Sequence, residues 1–194
     1  MGSFDFAVEA AEDARAAIRF LRKHATTFRV DPEKITLSGY SAGAVTAMAV
    51  GYTQMAAHEG ESGNSGYDSK PNLVVAWAGS LATQGYCAVI DPEPADCQIG
   101  SPLYHFTNDI TGVDQPPLIT IHGTQDFIVP YKGSQMAHDR AEAVGLPHHL
   151  ITIEGGDHYF PASTDLFYDV WWGSEMLVKM TEYLQITDTC ANPF

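Results

Sequence analysis

The most regular pattern along the chain is an amphipathic one near its beginning. Between residues 6 and 25 apolar side chains recur every three or four positions, and charged side chains take the opposite face. Acidic residues come early in this segment and arginines come late, which is the order that a helix dipole favours. The pattern therefore predicts a helix with one face packed on the rest of the protein.

Short apolar runs alternate with helical patterns through the rest of the chain. Residues 73–78 and 117–123 are almost continuously apolar, which is typical of strands buried on both faces of a parallel sheet. Residues 35–37 and 149–153 predict further strands, and helices are predicted over about 42–58, 131–144 and 165–185. This alternation favours an α/β fold with a mostly parallel sheet flanked by helices, whose functional residues lie at the carboxyl ends of the strands.

Two segments between these elements lack a regular apolar pattern. Residues 59–72 are rich in glycine, serine and asparagine, and they predict a mobile surface loop. Residues 79–116 contain prolines at 92, 94, 102 and 116, and a loop of this length is expected to shape a site or to contain a short helix. Cys87 and Cys97 flank its Pro-rich part, and two alternatives are open. Either these two cysteines form a disulfide that closes the loop, or all three cysteines, including Cys190, are reduced.

Length and charge narrow the class of protein. The 194 residues, 45% of them hydrophobic, suffice for one domain with a core, so we expect a single domain over 1–194. The net charge of -14 disfavours nucleic acid and anionic lipid as partners. The chain has no apolar run long enough to span a bilayer and no signal-peptide pattern at its beginning, so we expect a soluble chain and assign no compartment.

The strongest candidate for chemistry is the sequence Gly-Tyr-Ser-Ala-Gly at positions 39–43. It follows the strand pattern at 35–37 and precedes a helical pattern of small apolar residues. A Gly-x-Ser-x-Gly pattern between a strand and a helix is typical of a nucleophile elbow, in which a sharp turn presents the serine hydroxyl. Ser41 is therefore a candidate nucleophile, and the alternative is an ordinary turn with an idle serine.

A serine nucleophile needs a base within hydrogen-bond reach and a carboxylate that orients that base. Asp126 follows the strand at 117–123, and His158 follows the strand at 149–153, so both are expected at carboxyl ends of strands. Asp157 competes with Asp126 for the role of the carboxylate. His122 is expected to be a packed, hydrogen-bonded residue, and the remaining histidines lack an accompanying motif.

Three segments together resemble the α/β-hydrolase superfamily, and within it the carboxylesterase and lipase branch. These segments are VDPEKITLSGYSAGA, PPLITIHGTQDFIVPY and IEGGDHYF, in the order nucleophile, acid, base that the superfamily uses. The resemblance implies that Ser41 is the nucleophile, His158 the general base and then general acid, and Asp126 the orienting carboxylate. It implies no metal and no organic cofactor.

The chain also departs from that superfamily at its beginning. The strands that normally precede the first helix, and a His-Gly-Gly loop that donates part of the oxyanion hole, have no counterpart in residues 1–34. The fold is therefore expected to be a truncated α/β-hydrolase, in which the backbone N–H of Ala42 is one oxyanion donor and the second is unassigned. The strand before Ser41 becomes a sheet edge that a second copy of the chain, a rearranged terminus or a further piece of the protein would cover, and of these we expect the second copy, as a homodimer.

These residues favour a short-chain carboxylic ester hydrolase that forms an acyl-serine intermediate on a small-molecule ester. Four aromatic residues near the candidate triad are expected either to line its substrate pocket or to belong to the core: Tyr40, Phe127, Tyr159 and Phe160. Two alternatives are open. One is a serine peptidase of the prolyl-oligopeptidase type, and the other is an inactive truncated hydrolase that serves as an interaction module.

Overall fold

Four parallel strands form one sheet in the part of the chain that the computed structural model describes, which is residues 3–52, 59–60, 63–79, 114–160 and 174–185. The strands are β1 (Thr36–Tyr40), β2 (Leu73–Trp77), β3 (Leu118–Gly123) and β4 (His148–Ile153). They lie side by side in sequence order, and each neighbouring pair is parallel. The predicted parallel α/β fold is thereby confirmed.

Helices precede and separate these strands along the chain. They are α1 (Ser3–Lys23), the single turn α2 (Ala25–Phe28), α3 (Ala42–Tyr52), α4 (Lys132–Val144) and α5 (Ser174–Tyr183). Each helix predicted from the sequence corresponds to one of them, with α1 ending at Lys23 and α2 following separately. Parts of two predicted helices lie outside the described residues. These are residues 53–58 of the helix predicted over 42–58, and the residues before 174 of the helix predicted over 165–185. The same holds for residues 80–113 and for the three cysteines.

The alternation of side chains along β2 and β3 explains why these strands have so few polar residues. Val74 and Ala76 point to one face of the sheet, where α3 and α4 cover them. Val75 and Trp77 point to the other face, where α5 covers them. Since helices lie on both faces, every residue of β2 and β3 is buried.

Helix α1 packs on α3 and on the residue that leads into β1. Its apolar stripe includes Ala11 and Ile18, which meet Ile35 and Val50. Among the described residues no helix is long and apolar enough to cross a membrane.

Two arginines of α1 anchor the segment that the sequence predicted as a mobile loop. Arg15 Nη1 lies 2.6 Å from Glu59 Oε1, and Arg19 Nη1 lies 2.9 Å from Glu59 Oε2. Ser69, which is buried, donates a hydrogen bond of 2.8 Å to the same carboxylate. Burial raises the pKa of Glu59, but the bond from Ser69 and the two arginines outweigh it, so the net pKa is lowered. The described part of this loop is therefore tied to α1 and is not free.

Strand β1 lies at the edge of the described sheet, where it pairs with β2 on one side. Its residues are half-buried or exposed, in contrast to the wholly buried β2 and β3. Among the described residues the strand before Ser41 is thus one of the two edge strands, with β4 at the other edge, as the sequence predicted for β1.

Candidate active site

The turn after β1 holds Ser41 in a conformation that few residues adopt. Its φ is 55°, in the left-handed region that costs a residue with a Cβ roughly 1–2 kcal/mol. The turn is fixed because the Ser41 N–H donates to the carbonyl of Trp77 at 2.8 Å, while the Ser41 carbonyl accepts from Ala44 and Val45 at the start of α3. The backbone of β2 and α3 therefore holds the Ser41 side chain at the carboxyl edge of the sheet.

The two glycines that flank this turn are not equivalent. A Cβ added at Gly39 would lie 2.0 Å from the carbonyl oxygen of Gly43, a distance that no real contact allows. A Cβ added at Gly43 would meet no atom within 4 Å. The close approach of β1 and α3 therefore requires glycine at position 39 and tolerates a side chain at position 43.

We predict that Gly39→Ala destabilises the protein by more than about 2 kcal/mol, because backbone must move to make room. Gly43→Ala should leave stability unchanged or raise it by up to about 1 kcal/mol, because alanine is the better helix former. Chemical denaturation followed by far-UV circular dichroism measures both. Equal losses for the two variants would contradict this account of the elbow.

Asp126 lies in a turn three residues beyond the end of β3 and is buried. Its Oδ1 accepts hydrogen bonds from the backbone N–H groups of Ile128, at 2.9 Å, and Val129, at 2.7 Å. This turn is joined to the loop after β4, since Gln125 N–H donates to the carbonyl of Gly156 at 2.9 Å. A Cβ at Gly123 would lie 2.2 Å from that same carbonyl oxygen, so glycine allows the two loops to meet.

His158, in the loop after β4, lies between Ser41 and Asp126. Its Nε2 is 3.0 Å from Ser41 Oγ, and its Nδ1 is 2.7 Å from Asp126 Oδ2. Burial raises the pKa of Asp126, but the hydrogen bonds from His158, Val129 and Ile128 outweigh it, and the net pKa is lowered. An ionised carboxylate requires Nδ1 to carry the proton, which leaves Nε2 free to accept the proton of the Ser41 hydroxyl.

The structure gives different surroundings to Asp126 and Asp157, the two candidates for the carboxylate that orients the base. Asp157 is exposed, and its Oδ1 accepts the backbone N–H of Tyr159 at 2.8 Å, so it stabilises its own turn. Asp126, in contrast, is buried against His158. Among the other histidines, His122 is fully buried and bonded on both ring nitrogens, which confirms that it is a packed residue.

The four aromatic residues near this site have different surroundings. Phe160 is 4% exposed and packs against Trp77 in the core, with ring centroids 6.2 Å apart, so of the two alternatives for Phe160 the structure favours the core. Phe127 and Tyr159 are 89% and 64% exposed beside the loops that carry Asp126 and His158. Their contact with substrate stays a prediction.

Tyr40 has a role that the sequence did not indicate. Its hydroxyl donates a hydrogen bond of 2.7 Å to the backbone carbonyl of His158, 118 residues away, and its ring centroid is 5.3 Å from the His158 ring. Since the partner is a backbone atom in a distant loop, no local motif could reveal this contact. Tyr40 thus fastens the histidine loop to the end of β1.

We predict that Tyr40→Phe lowers kcat for the ester hydrolysis proposed below about three- to tenfold, because the lost hydrogen bond leaves the His158 backbone less well held. Tyr67→Phe is the matched control, since Tyr67 is equally exposed, at 43% against 42%, and lies in the 59–72 segment. Steady-state kinetics and thermal melts of both variants test this. A kcat equal to that of the unmodified protein would contradict a positioning role for Tyr40.

Ala42, the candidate oxyanion donor, is the first residue of α3. The N–H groups in the first turn of a helix have no partner within that helix, and the helix dipole makes this end favourable for negative charge.

Among the described residues no group of three or more His, Cys, Asp or Glu side chains could hold a metal ion.

Comparison with known proteins agrees with the fold. The chain superimposes on a truncated carbohydrate esterase from gut microbiota with a TM-score of 0.69 and 25% identity, covering 90% of this chain and 68% of the other. The propionate-bound esterase Est2 of the Planctomycetes species Thermogutta terrifontis matches with a TM-score of 0.70 and 26% identity, covering 88% and 64%. Fold and comparisons together define an α/β-hydrolase of the carboxylesterase branch.

The family model named BD-FAE matches residues 5–140, and the chain belongs to that family. Among curated relatives, endo-1,4-beta-xylanase B of Butyrivibrio fibrisolvens is 23% identical over 88% of this chain. A probable isoprenylcysteine alpha-carbonyl methylesterase of Arabidopsis thaliana is 25% identical over 80% of it. The chain spans only 27% and 35% of the length of these two relatives.

Proposed function

We propose that this protein hydrolyses carboxylic esters through an acyl intermediate on Ser41. The observation that carries the proposal is the continuous hydrogen-bonded chain from Ser41 Oγ to His158 to the buried carboxylate of Asp126. Residues from the ends of three different strands meet in this chain, which an idle serine in an ordinary turn would not require. Esterases among the structural relatives add support for the reaction class.

In the first half of the reaction, Ser41 Oγ attacks the ester carbonyl carbon while its proton moves to His158 Nε2. The imidazolium that forms is stabilised by the Asp126 carboxylate at Nδ1. The tetrahedral intermediate collapses when the carbon–oxygen bond to the alcohol breaks, and His158 gives its proton to the departing alkoxide. The acyl group remains bound to Ser41.

In the second half, a water molecule replaces the alcohol. His158 Nε2 takes a proton from the water, whose oxygen attacks the acyl carbon, and the bond to Ser41 Oγ then breaks. The proton on Nε2 returns to the Ser41 oxygen, and the free acid leaves. Throughout both halves Asp126 keeps its negative charge and orients the ring.

The negative charge on the tetrahedral intermediate would be held by the N–H of Ala42 at the start of α3. Ester substrates are proposed in preference to amides, because an alkoxide or phenolate leaves a tetrahedral intermediate more readily than an amine. We therefore propose ester substrates with short acyl groups, for which the propionate- and butyrate-bound structures of the Thermogutta esterase give a precedent.

Release of p-nitrophenol from the acetate, butyrate and octanoate esters tests the proposal. We expect turnover that is highest for acetate or butyrate, together with covalent labelling of Ser41 by a fluorophosphonate probe. Peptide mapping of the labelled protein identifies the modified residue. Absence of both turnover and labelling would contradict the proposal and favour the inactive interaction module. Cleavage of a peptide anilide without ester hydrolysis would favour a peptidase.

We also propose that two copies of the chain associate through the exposed edge at β1. Among the described residues no strand pairs with the outer side of β1, whose side chains are half-buried or exposed. Light scattering coupled to size-exclusion chromatography is expected to give twice the monomer mass of 21.1 kDa. A stable monomer at micromolar concentration would contradict this association.

A further inference from the structure

The carboxylate of Asp126 is bonded by two histidines and not by one. Its Oδ2 lies 2.7 Å from His158 Nδ1 and 3.1 Å from His122 Nε2. The two backbone N–H groups on Oδ1 bring the number of donors around this carboxylate to four. The second histidine is not needed for proton transfer to or from Ser41, so its presence requires another explanation.

The neighbours of His122 determine its protonation. Nε2 faces two acceptors, Asp126 Oδ2 and the carbonyl of Val129 at 2.9 Å, so this nitrogen carries a proton. Burial lowers the pKa of His122, and its bonds to Val129 and Asp126 offset that effect only in part, so the ring is neutral. Nδ1 is then unprotonated and accepts the hydroxyl hydrogen of Ser134, whose Oγ lies 2.7 Å away.

Ser134 lies in the first turn of α4 and is itself buried. Its Oγ is 3.3 Å from the carbonyl oxygen of Gly79, which is farther than its 2.7 Å from His122 Nδ1. A polar chain therefore runs from Ser134 through His122 to Asp126, and it meets there the chain from Ser41 and His158. Because His122 is fully buried, it contacts neither solvent nor a substrate. It acts on the reaction only through Asp126.

We propose that His122, oriented by Ser134, is a positioning residue that holds Asp126 Oδ2 toward His158 and limits the basicity of the His158 ring. The proposal rests on the ester hydrolysis proposed above. Its physical reason is that a donor on Oδ2 draws charge away from that oxygen. Without it, more of the negative charge faces His158, which stabilises the imidazolium and makes the ring protonate at higher pH.

The other aromatic and charged groups around His158 and His122 are the same in the unmodified protein and in the His122 and Ser134 variants described below. His158 has Tyr40 and Tyr159 beside its ring, with centroids at 5.3 and 5.4 Å, and Asp157 precedes it in the chain. His122 has the ring of Tyr131 on its other side at 5.8 Å. Since none of these is changed in the variants below, a shift in the pH profile reports the bond between His122 and Asp126.

His122→Leu and His122→Gln form the decisive pair, because leucine removes the donor while the amide of glutamine restores one near Nε2. For the leucine variant we expect kcat for p-nitrophenyl acetate to fall about tenfold or more, with KM nearly unchanged. The acidic limb of its kcat/KM profile should move up by about half a pH unit or more. The glutamine variant should recover most of the rate and return the limb toward its original position.

A merely structural role for His122 predicts a different result. Both variants would then lose activity and thermal stability together, with the acidic limb unmoved, and this outcome would overturn the proposal. If the leucine variant does not fold, Ser134→Ala serves instead, since it deletes one oxygen and releases the His122 ring. A shift of the limb in the same direction supports the proposal, and an unmoved limb contradicts it.

Long-range ¹H–¹⁵N NMR separates this proposal from the proposed function, because it needs no turnover. It is expected to show His122 with its proton on Nε2, and to show the His158 ring protonating at higher pH in His122→Leu or Ser134→Ala. If esters are not hydrolysed but these signals are as expected, the ester hydrolase fails and the positioning of Asp126 stands. A His122 protonated on Nδ1 would overturn the positioning proposal whatever the activity.

Discussion

Ser41→Ala is expected to lower kcat for p-nitrophenyl acetate on the order of 10⁶-fold and to abolish fluorophosphonate labelling. The loss is this large because the Ser41 hydroxyl forms the covalent bond to the acyl group. Without it, His158 has no serine to deprotonate and the acyl intermediate cannot form. The free energy of unfolding should change by less than about 1 kcal/mol, since one oxygen with a single described side-chain partner is removed. Initial rates and thermal melts on the same preparation measure both.

Ser41→Gly provides a matched control for the strain in the elbow. Both variants lack the hydroxyl and should be equally inactive, but glycine adopts the φ of 55° without a Cβ penalty. We therefore expect Ser41→Gly to melt at a higher temperature than Ser41→Ala. Continued labelling of either variant by the fluorophosphonate probe would place the nucleophile elsewhere. Equal melting temperatures would contradict strain at this turn.

Asp126→Asn is expected to lower kcat about 10⁴-fold at neutral pH, although it changes a single atom. The amide nitrogen cannot occupy the Oδ1 position, because two backbone N–H groups, those of Ile128 and Val129, point at it. It therefore takes the Oδ2 position, where the His122 N–H keeps the carbonyl of Val129 as its acceptor, and it donates to His158 Nδ1. The ring must then carry its proton on Nε2, facing Ser41, in the tautomer that cannot accept the hydroxyl proton.

Asp157→Asn is the control for this prediction. It makes the same chemical change 31 positions further along, at an exposed carboxylate whose described partner is the N–H of Tyr159 in its own turn. Its kcat should stay within about threefold of the unmodified protein, and small losses are expected only in the stability of the loop. A large loss from Asp157→Asn with little loss from Asp126→Asn would reverse the assignment of the two aspartates.

Much of the fold was predictable because it depends on patterns that are local in the chain. The apolar runs of β2 and β3 reflect burial on both faces, and the amphipathic stripe of α1 reflects burial on one. Gly39 and Ser41 lie in one short strand–turn–helix pattern, in which the close approach of β1 and α3 requires glycine at position 39. The boundaries were less predictable: β1 continues to Tyr40, three residues beyond the predicted strand, because pairing with β2 extends it.

Glu59 illustrates what the loop composition concealed. The segment 59–72 is polar and rich in glycine, which favours a free loop, but its first residue binds two arginines of α1 that lie 40 and 44 positions earlier. Composition describes what a segment does in isolation, and it carries no information about a distant partner. The anchoring of this loop therefore appears only once α1 and the loop are side by side.

The candidate site also has features that the sequence predicts and features that only the folded structure reveals. The sequence by itself determined the Gly-x-Ser-x-Gly turn, the order of the candidates Ser41, Asp126 and His158, and their places at strand ends, because each is part of a short motif. Only the tertiary structure showed that Asp126, and not Asp157, contacts His158, that Tyr40 bonds to the histidine loop, and that His122 and Ser134 lie behind the carboxylate. These contacts depend on the register of the parallel strands and on the packing of α4, which bring residues up to 118 positions apart within hydrogen-bond distance.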